Sequence, residues 1–568
     1  MSKFKKSVFW ICIFIGLFVF FSYVHPVYLF DTDDWNNISA RRFGLPLWGW
    51  WNPSKVLPEV LMSYAGDFGV WFIKPFVGNY IISLMIACAL VYSFIITLYF
   101  YGMSAVTEVK LGLKGAKNYV LTLLMVLLHF LVFKKQSEGN AHFFYATNLT
   151  CIFNYVIPAL LCATLVMYLI RTDIKKLNVL QRGFLVLATY LCVFSNLFDS
   201  VILVSYAGVC LLKALFAEIR QNDRPLTKGS ASKSTERLSE LDVTLSATQA
   251  SKKLSSCSNS NFVINQSYYL LVLVLFLIQC IFELSGGRAA DMRTGVQLGV
   301  TVQAYLSWLR RLNGLCVLMA AGLVAFFVCY CIFLARRSKG MTVRAAGVSF
   351  EEKESAAPEV KTQDIQQEEI TKDEIRKTEP KTLEAKAKDS CTSEIRNLLL
   401  ISISCFALTS LALIALCSVV ASSYIARTDV FISALFYIFL MLMLMAAYLL
   451  RKLPGLFLVV PLVCFVTLTI VTNGLRIFAE SNMKNLPSRE VLAIDRDLVR
   501  QVVEADAAGA EEVDLHVPKW DSEDNWPHAI YAGKHMANTL YRHGITNKLM
   551  TITFVPDADY EPERPAGE

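Results

Sequence analysis

Apolar runs close to 20 residues long, the length a helix needs to cross hydrocarbon, recur along this chain from its N-terminus to residue 473. They lie at 8–24, 80–101, 119–133, 150–170, 183–196, 200–216, 268–284, 315–334, 398–420, 430–450 and 455–473, about eleven in all. No water-soluble core accommodates that many, so the chain reads as an all-α polytopic membrane protein. Composition agrees. The 568 residues are 55% hydrophobic and 18% charged, against roughly 45–50% and 25% in soluble domains.

Polar stretches punctuate the runs. Residues 218–264 and 336–395 are rich in Ser, Thr, Lys and Glu and lack periodic apolar positions. They read as flexible cytoplasmic loops, with charged helical turns between Asp364 and Lys388, because such segments bury too little to offset chain entropy. The tail differs. Spacing predicts helices over 498–505 and 529–541, and strands over 513–518 and 549–555, which together make a small α/β domain. The chain therefore divides into a transmembrane part, 1–475, and a C-terminal domain, 476–568.

Lys3, Lys5 and Lys6 precede the first run, while Asp31, Asp33 and Asp34 follow it. This asymmetry places the N-terminus in the cytoplasm. Tyr23-Val24-His25-Pro26 makes a poor cleavage site, so the run reads as a retained helix. Counting crossings puts the C-terminal domain outside. Lys110, Lys114, Lys117, Arg171, Lys175, Lys176, Arg451 and Lys452 fall inside. Arg41, Arg42, Lys134, Lys135, Arg310 and Arg311 fall outside, so the charge rule is obeyed only in part.

The charge balance of +7 reports helix-flanking cations, and no basic patch interleaved with aromatics suggests nucleic acid. Most of the 15 cysteines lie in apolar runs, where they act as small hydrophobes. His516, His528, His535 and His543 show no metal-ligand spacing and read as surface histidines.

The residues that carry chemistry collect on the external side: Asp31, Asp33, Asp34, Asn148, Asp199, Arg288, Asp291, Arg293, Arg427 and Asp429. Acids and arginines sharing short loops suit a phosphate-linked substrate, since carboxylates take protons or metal and guanidinium groups grip phosphate in bidentate fashion. Each has a plainer reading. The three aspartates also mark the negative flank of a helix. Ser285-Gly286-Gly287-Arg288 is either a glycine turn or an anion-binding loop. Arg427, in the shortest external connection, serves a lipid phosphate or a neighbouring loop. Asn154 and Tyr155 suit helix packing. Trp48, Trp50 and Trp51 form an interfacial belt or a sugar-stacking surface.

Asp33-Asp34 after the first helix, Gly286-Gly287-Arg288 to Arg293 mid-chain and Tyr424-Ile425-Ala426-Arg427 later resemble motifs of GT-C class membrane glycosyltransferases. The likeness is to the bacterial O-antigen glucosyltransferase type and its uncharacterised relatives. Two departures stand out: Ser-Gly-Gly replaces a usual Pro-Gly-Asn, and Asp199 stands where Glu is common. The resemblance implies transfer of a sugar from a polyprenyl-phosphate donor to a surface glycan or glycolipid, on the outer face of a bacterial cytoplasmic membrane. It implies Asp33 or Asp34 as general base. Asp31, Asn148, Asp199, Arg288, Arg293 and Arg427 would bind substrate. A divalent cation (Mg or Mn), if used, would be held by Asp33 and Asp34. The rival readings are a polytopic transporter and a non-catalytic membrane component of surface-polysaccharide assembly. The spans carry almost no charge and show no internal repeat, which disfavours the transporter.

Overall fold

The computed structural model describes residues 3–134, 141–222, 266–291, 295–351, 367–473 and 478–562. Among these, nine helices are long and apolar enough to cross a membrane, and three shorter apolar helices accompany them. In chain order the helices are α1 (Lys3–Val19, with a wide terminal turn Phe20–Val24), α2 (Thr32–Asn37), α3 (Val56–Val77), α4 (Tyr80–Leu111), α5 (Ala116–Leu131), α6 (Leu149–Arg171), α7 (Val179–Val193) and α8 (Leu197–Asn222). Then come α9 (Gln266–Leu284), α10 (Gly287–Asp291), α11 (Leu298–Arg311), α12 (Gly314–Glu351), α13 (Gln367–Val420), α14 (Thr428–Lys452) and α15 (Leu456–Asn473).

Contacts at helix ends sort these into a bundle with two faces. On one face Lys6 at the start of α1 pairs with Glu108 near the end of α4 at 2.7 Å. There too Arg451 of α14 donates to the carbonyl of Leu111, and Lys117 of α5 donates to that of Leu450. The opposite face carries the C-terminal domain. Tyr28, after α1, bonds to Glu480 and Asn482, and Tyr80, at the start of α4, bonds to His543 at 2.7 Å.

α3 is a helix that the sequence reading left inside a loop. Although it is apolar and 22 residues long, both its ends lie on the domain face. Leu57 donates its amide to Phe194, Gly66 sits under the Ile38 carbonyl beside His543, and Trp71 meets Gly544. α1 ends, and α4 begins, on that same face, so α3 lies along the bundle rather than through it. Tyr64, Phe68, Trp71, Phe72 and Phe76 project from one exposed side, the aromatic stripe expected of a helix in the headgroup region. α11 is similar: its start bonds to Ser418 and Ser422, its end to Ala426 and Lys134.

The stretch read as a loop over 336–395 departs from that expectation. Backbone helix continues to Glu351 and resumes at Gln367, passing through Pro380, in sequence rich in Lys, Glu and Ala, which are strong helix formers. Most of the 218–264 loop lies outside the described residues.

The C-terminal domain is the small α/β unit that the tail suggests. α16 (Ser488–Ala507), β1 (Glu512–Pro518), α17 (Gly533–Arg542) and β2 (Thr551–Asp557) build it, with β1 and β2 parallel and Leu515 opposite Phe554. Val491, Leu498 and Val502 of α16, Leu515, Met536, Leu540 and Phe554 form its core. Gly533 packs where a Cβ would stand 2.0 Å from the Ile552 carbonyl oxygen, so α17 can lie against β2 only with glycine there. Two of the four histidines read as superficial are buried, His528 and His543. His528 packs on Phe30 at 4.8 Å and His543 bonds Tyr80. Both lie under the domain, on the seam with the bundle, where an aromatic polar ring fills space and reaches a partner.

Candidate functional site

The loop after α1 is held from both sides. Asp31 caps α2: its side chain accepts from Asp33 N–H at 3.0 Å, while Asp34 reaches back in a capping box. Asp34 is fully buried and accepts three amides, from Thr150 at 2.6 Å and from Phe30 and Asp31 at 3.2 Å. Asn148 caps α6 through Cys151 N–H and donates to Asp31 at 3.0 Å. The domain closes the far side, where Thr32 bonds to the Pro527 carbonyl and Thr539 to that of Trp35. Burial and the neighbouring charge of Asp34 hold Asp31 well above the usual carboxylate range, and burial pushes Asp34 up to about 6. Of the three aspartates only Asp33 keeps an exposed carboxylate.

A second layer continues from Cys151. Arg427 Nη2 lies 3.0 Å from the Cys151 sulfur and pairs with Asp429 at 2.6 Å. Its guanidinium stacks on Tyr155 at 4.4 Å and faces Tyr424 at 5.3 Å. Those two phenols also take Arg288, which donates to Tyr155 at 3.1 Å, to the Tyr424 hydroxyl, and to Asn52 at 3.4 Å. Asp199 is buried at the start of α8 and accepts from Ser433 at 3.1 Å. Thus Asp31, Asp34, Asn148, Arg427 and Arg288 belong to one linked network around the start of α6. Asp33 faces the domain, towards His535 and Tyr531. Asp291 is exposed, and Arg293 lies outside the described residues.

The glycine pair does not offer amides to an anion. Gly287 and Arg288 donate theirs to the Trp50 and Trp51 carbonyls. A Cβ on Gly286 would stand 2.7 Å from the Pro53 ring. The glycines are there so that this turn can press against residues 50–53, which fixes where Arg288 points.

Sequence reasoning missed Lys55. Asn52-Pro53-Ser54 is anchored by Arg42, which donates to the Asn52 and Pro53 carbonyls and pairs with Glu59 at 2.7 Å. Glu283 accepts from the Ser54 hydroxyl and amide. The following side chain, Lys55, is buried with its ammonium 5.1 Å from the Tyr155 ring. Among the described residues no hydrogen bond or ion pair reaches it. Burial, reinforced by Arg288, pushes Lys55 down to about 8. Its one legible signal was being the sole cation between Arg42 and Lys74.

Lys55 and Arg288 border a cavity of about 300 Å³. Its lining is polar at Tyr155, Tyr424, Asn196 and Glu283 and apolar at Leu284 of α9 and Leu416, Val419 and Val420 of α13. Arg288 makes no ion pair among the described residues. Glu283 and Glu59 offset part of the charge of Lys55, but neither Lys55 nor Arg288 is ion-paired among the described residues, so the polar part of the cavity suits an anion. The apolar part suits a hydrocarbon chain attached to it.

For a divalent cation the donor set is poor. Asp31 and Asp34 are buried with every carboxylate oxygen accepting an N–H, leaving Asp33 as one accessible ligand where Mg or Mn asks for more. Among the described residues no group of three or more His, Cys, Asp or Glu is arranged to hold a metal.

No protein-family model, curated protein or solved structure matches the chain.

Proposed function

We propose that this chain is a membrane glycosyltransferase that moves a sugar from a polyprenyl-phosphate donor to a cell-surface glycan or glycolipid. The observation that carries this reading is the cavity lined by Lys55 and Arg288 together with aliphatic residues of α9 and α13. It matches the chemistry of a phosphate joined to a long hydrocarbon. In this reading eleven helices cross a bacterial cytoplasmic membrane: all but α2, α3, α10 and α11 of α1–α15. The N-terminus is inside and the C-terminal domain outside, with α3 and α11 lying in the outer headgroup layer.

The donor phosphate sits between Lys55 and Arg288, and the isoprenoid chain leaves between α9 and α13. Asp33, which faces the C-terminal domain, takes the proton from an acceptor hydroxyl that approaches from that side. The acceptor oxygen forms its bond to the anomeric carbon as the bond from that carbon to the phosphate oxygen breaks. The electron pair passes to the phosphate, whose growing charge the two cations neutralise. A single displacement inverts the sugar carbon. Asp34 and Asp31 organise the loop that presents Asp33. Arg427, itself paired with Asp429, holds Tyr155 and Tyr424 in place behind Arg288. No step uses a metal.

The test is the composition of the surface glycan, by mass spectrometry of the purified polymer, in cells with the chain, without it, and with Asp33→Asn. The proposal expects one sugar decoration to vanish in the last two. An unchanged glycan accompanied by loss of a solute uptake sinks it in favour of a transporter.

A further inference from the structure

A second groove, of about 320 Å³, lies between α4, α6 and α7 and reaches Leu57 of α3. Its walls are Leu98 and Tyr101 of α4, Leu161 and Leu165 of α6, and Leu191 of α7, and Arg171 closes one end. Gly102 lets Met167 pack against α4, where a Cβ would meet the Met167 methyl at 2.9 Å, and this keeps the two helices close along the groove's floor. Arg171 is the last residue of α6, on the face away from the C-terminal domain.

The charge at that end is unbalanced. The Arg171 guanidinium stacks 5.2 Å from the Tyr168 ring and 5.7 Å from the Tyr101 ring. Among the described residues no hydrogen bond or ion pair reaches it. Lys175 and Lys176 follow in the turn to α7 and Arg182 in its first turn, against the single acid Asp173. Asp173 spends its carboxylate on the Lys175 amide at 3.2 Å and on Lys176 at 3.8 Å. Nearby Lys6 is already neutralised by Glu108. The groove runs from Leu57, at the start of α3, to Arg171 at the end of α6, so a hydrocarbon chain whose phosphate lies at Arg171 has a continuous apolar wall to follow.

We propose that the α4–α6–α7 groove binds an anionic phospholipid of the leaflet away from the C-terminal domain, one acyl chain lying along Leu161 and Leu165 and its phosphate paired with Arg171. Stacking on two phenols holds the guanidinium at the groove mouth in the orientation a bidentate phosphate contact uses. The turn cations raise the local preference for a net negative headgroup. The site requires that α6 cross the bilayer but does not depend on the transfer reaction.

The experiment takes the full-length chain, purified and delipidated in detergent, and counts retained dioleoyl phosphatidylglycerol or dioleoyl phosphatidylcholine by native mass spectrometry. Wild type should retain the anionic lipid better than the zwitterionic one, because both carry the phosphate that Arg171 contacts and the turn cations favour the headgroup with net negative charge. R171Q should cut retention of both lipids about tenfold, the effect of one charge-assisted contact; K175Q/K176Q should remove the preference between them; and groove-filling Thr164→Trp should abolish retention of either lipid at this site. Thermal unfolding of each variant confirms that it is folded, and L161F is the second groove-filling variant should Thr164→Trp unfold. The double variant K55Q/R288Q should leave phosphatidylglycerol retention as in wild type. Equal retention of the two lipids by wild type overturns the proposal. So does undiminished retention in R171Q, or loss in K55Q/R288Q, which would assign the lipid to the other cavity.

Discussion

The Asp34 carboxylate accepts the Thr150 backbone N–H at 2.6 Å, joining the loop after α1 to the first turn of α6 across 116 positions of chain. The same carboxylate also takes the amides of Phe30 and Asp31. Its neighbour Asp33 is exposed. Adjacent carboxylates therefore separate into one that builds the loop and one that is free to act.

That separation predicts opposite phenotypes. Asp34→Ala strands three buried amides at about 1–3 kcal/mol each and should lower the melting temperature sharply or prevent folding. Asp33→Asn should leave stability within about 0.5 kcal/mol, as exposed substitutions do, while abolishing transfer. Thermal unfolding in detergent beside a transfer assay in membranes checks both. Equal destabilisation by the two variants would refute the division.

Lys55 makes donor binding pH-sensitive. Burial holds it at about 8 against an ordinary 10.5, so the ammonium is present below about 8 and lost above. Affinity for a polyprenyl phosphate should fall as pH rises from 7 to 9, and K55R, which stays charged, should remove that dependence. In the unliganded protein the sign for stability is the reverse. Between about 8 and 10.5 the unfolded chain binds the extra proton, so this group's contribution to stability rises with pH there. A binding curve flat from pH 7 to 9 in wild type would contradict the assignment.

Arg427 and Asp429 form a pair at 2.6 Å in which Asp429 is buried and Arg427 is about 29% exposed. Arg427→Gln leaves that carboxylate without its charge partner, and breaking such a pair costs about 3 kcal/mol or somewhat less at this exposure. The double variant R427Q/D429N should recover much of the stability without restoring donor binding, because the guanidinium that packs on Tyr155 and Tyr424 is still missing. Unfolding and donor affinity measured on the single and double variants decide it. A double variant as unstable as the single would show that the pair is not what Arg427 maintains.

Buried histidines make the stability of the seam between the C-terminal domain and the bundle sensitive to pH. Burial pushes His25 down to about 4, His528 to about 3, His543 to about 4, and His142 well below its ordinary value. Between about 4 and 6.5 the unfolded chain binds more protons on these groups, so the stability they confer is lost as pH falls through that window. Asp34, raised to about 6, and Asp31, Asp495 and Glu480, also raised, act in the opposite sense, since their folded forms take up protons first. The clean readout is therefore one histidine at a time. The melting temperature of His543→Gln relative to wild type should rise as pH falls from 6.5 to 5. A difference between the two that stays constant over this range would refute the assignment.

The membrane part was legible because crossing helices announce themselves by uninterrupted apolar length. The runs at 80–101, 150–170 and 430–450 lie within α4, α6 and α14. α3 was hidden. Glu59 and Asp67 interrupt its hydropathy, and only its end contacts show that it lies flat. The C-terminal strands were legible from alternation around Leu515 and Phe554. At the site, charge in short loops marked Asp31, Asp34, Asn148, Arg288 and Arg427, since acids and arginines cluster there for a physical reason. What sequence could not separate was which carboxylate is spent on backbone amides, because Asp33 and Asp34 differ only in the direction α2 turns them. Lys55 stayed hidden because one lysine before an apolar helix looks like any helix flank until Tyr155 and Arg288 are brought beside it.

The most direct measurement is retention of undecaprenyl phosphate by the purified full-length chain, for wild type, K55Q/R288Q and Asp33→Asn. The account predicts binding by wild type and Asp33→Asn alike, and a loss of about a hundredfold in the double variant at roughly tenfold per charge-assisted contact. Wild-type affinity surviving in K55Q/R288Q would contradict it.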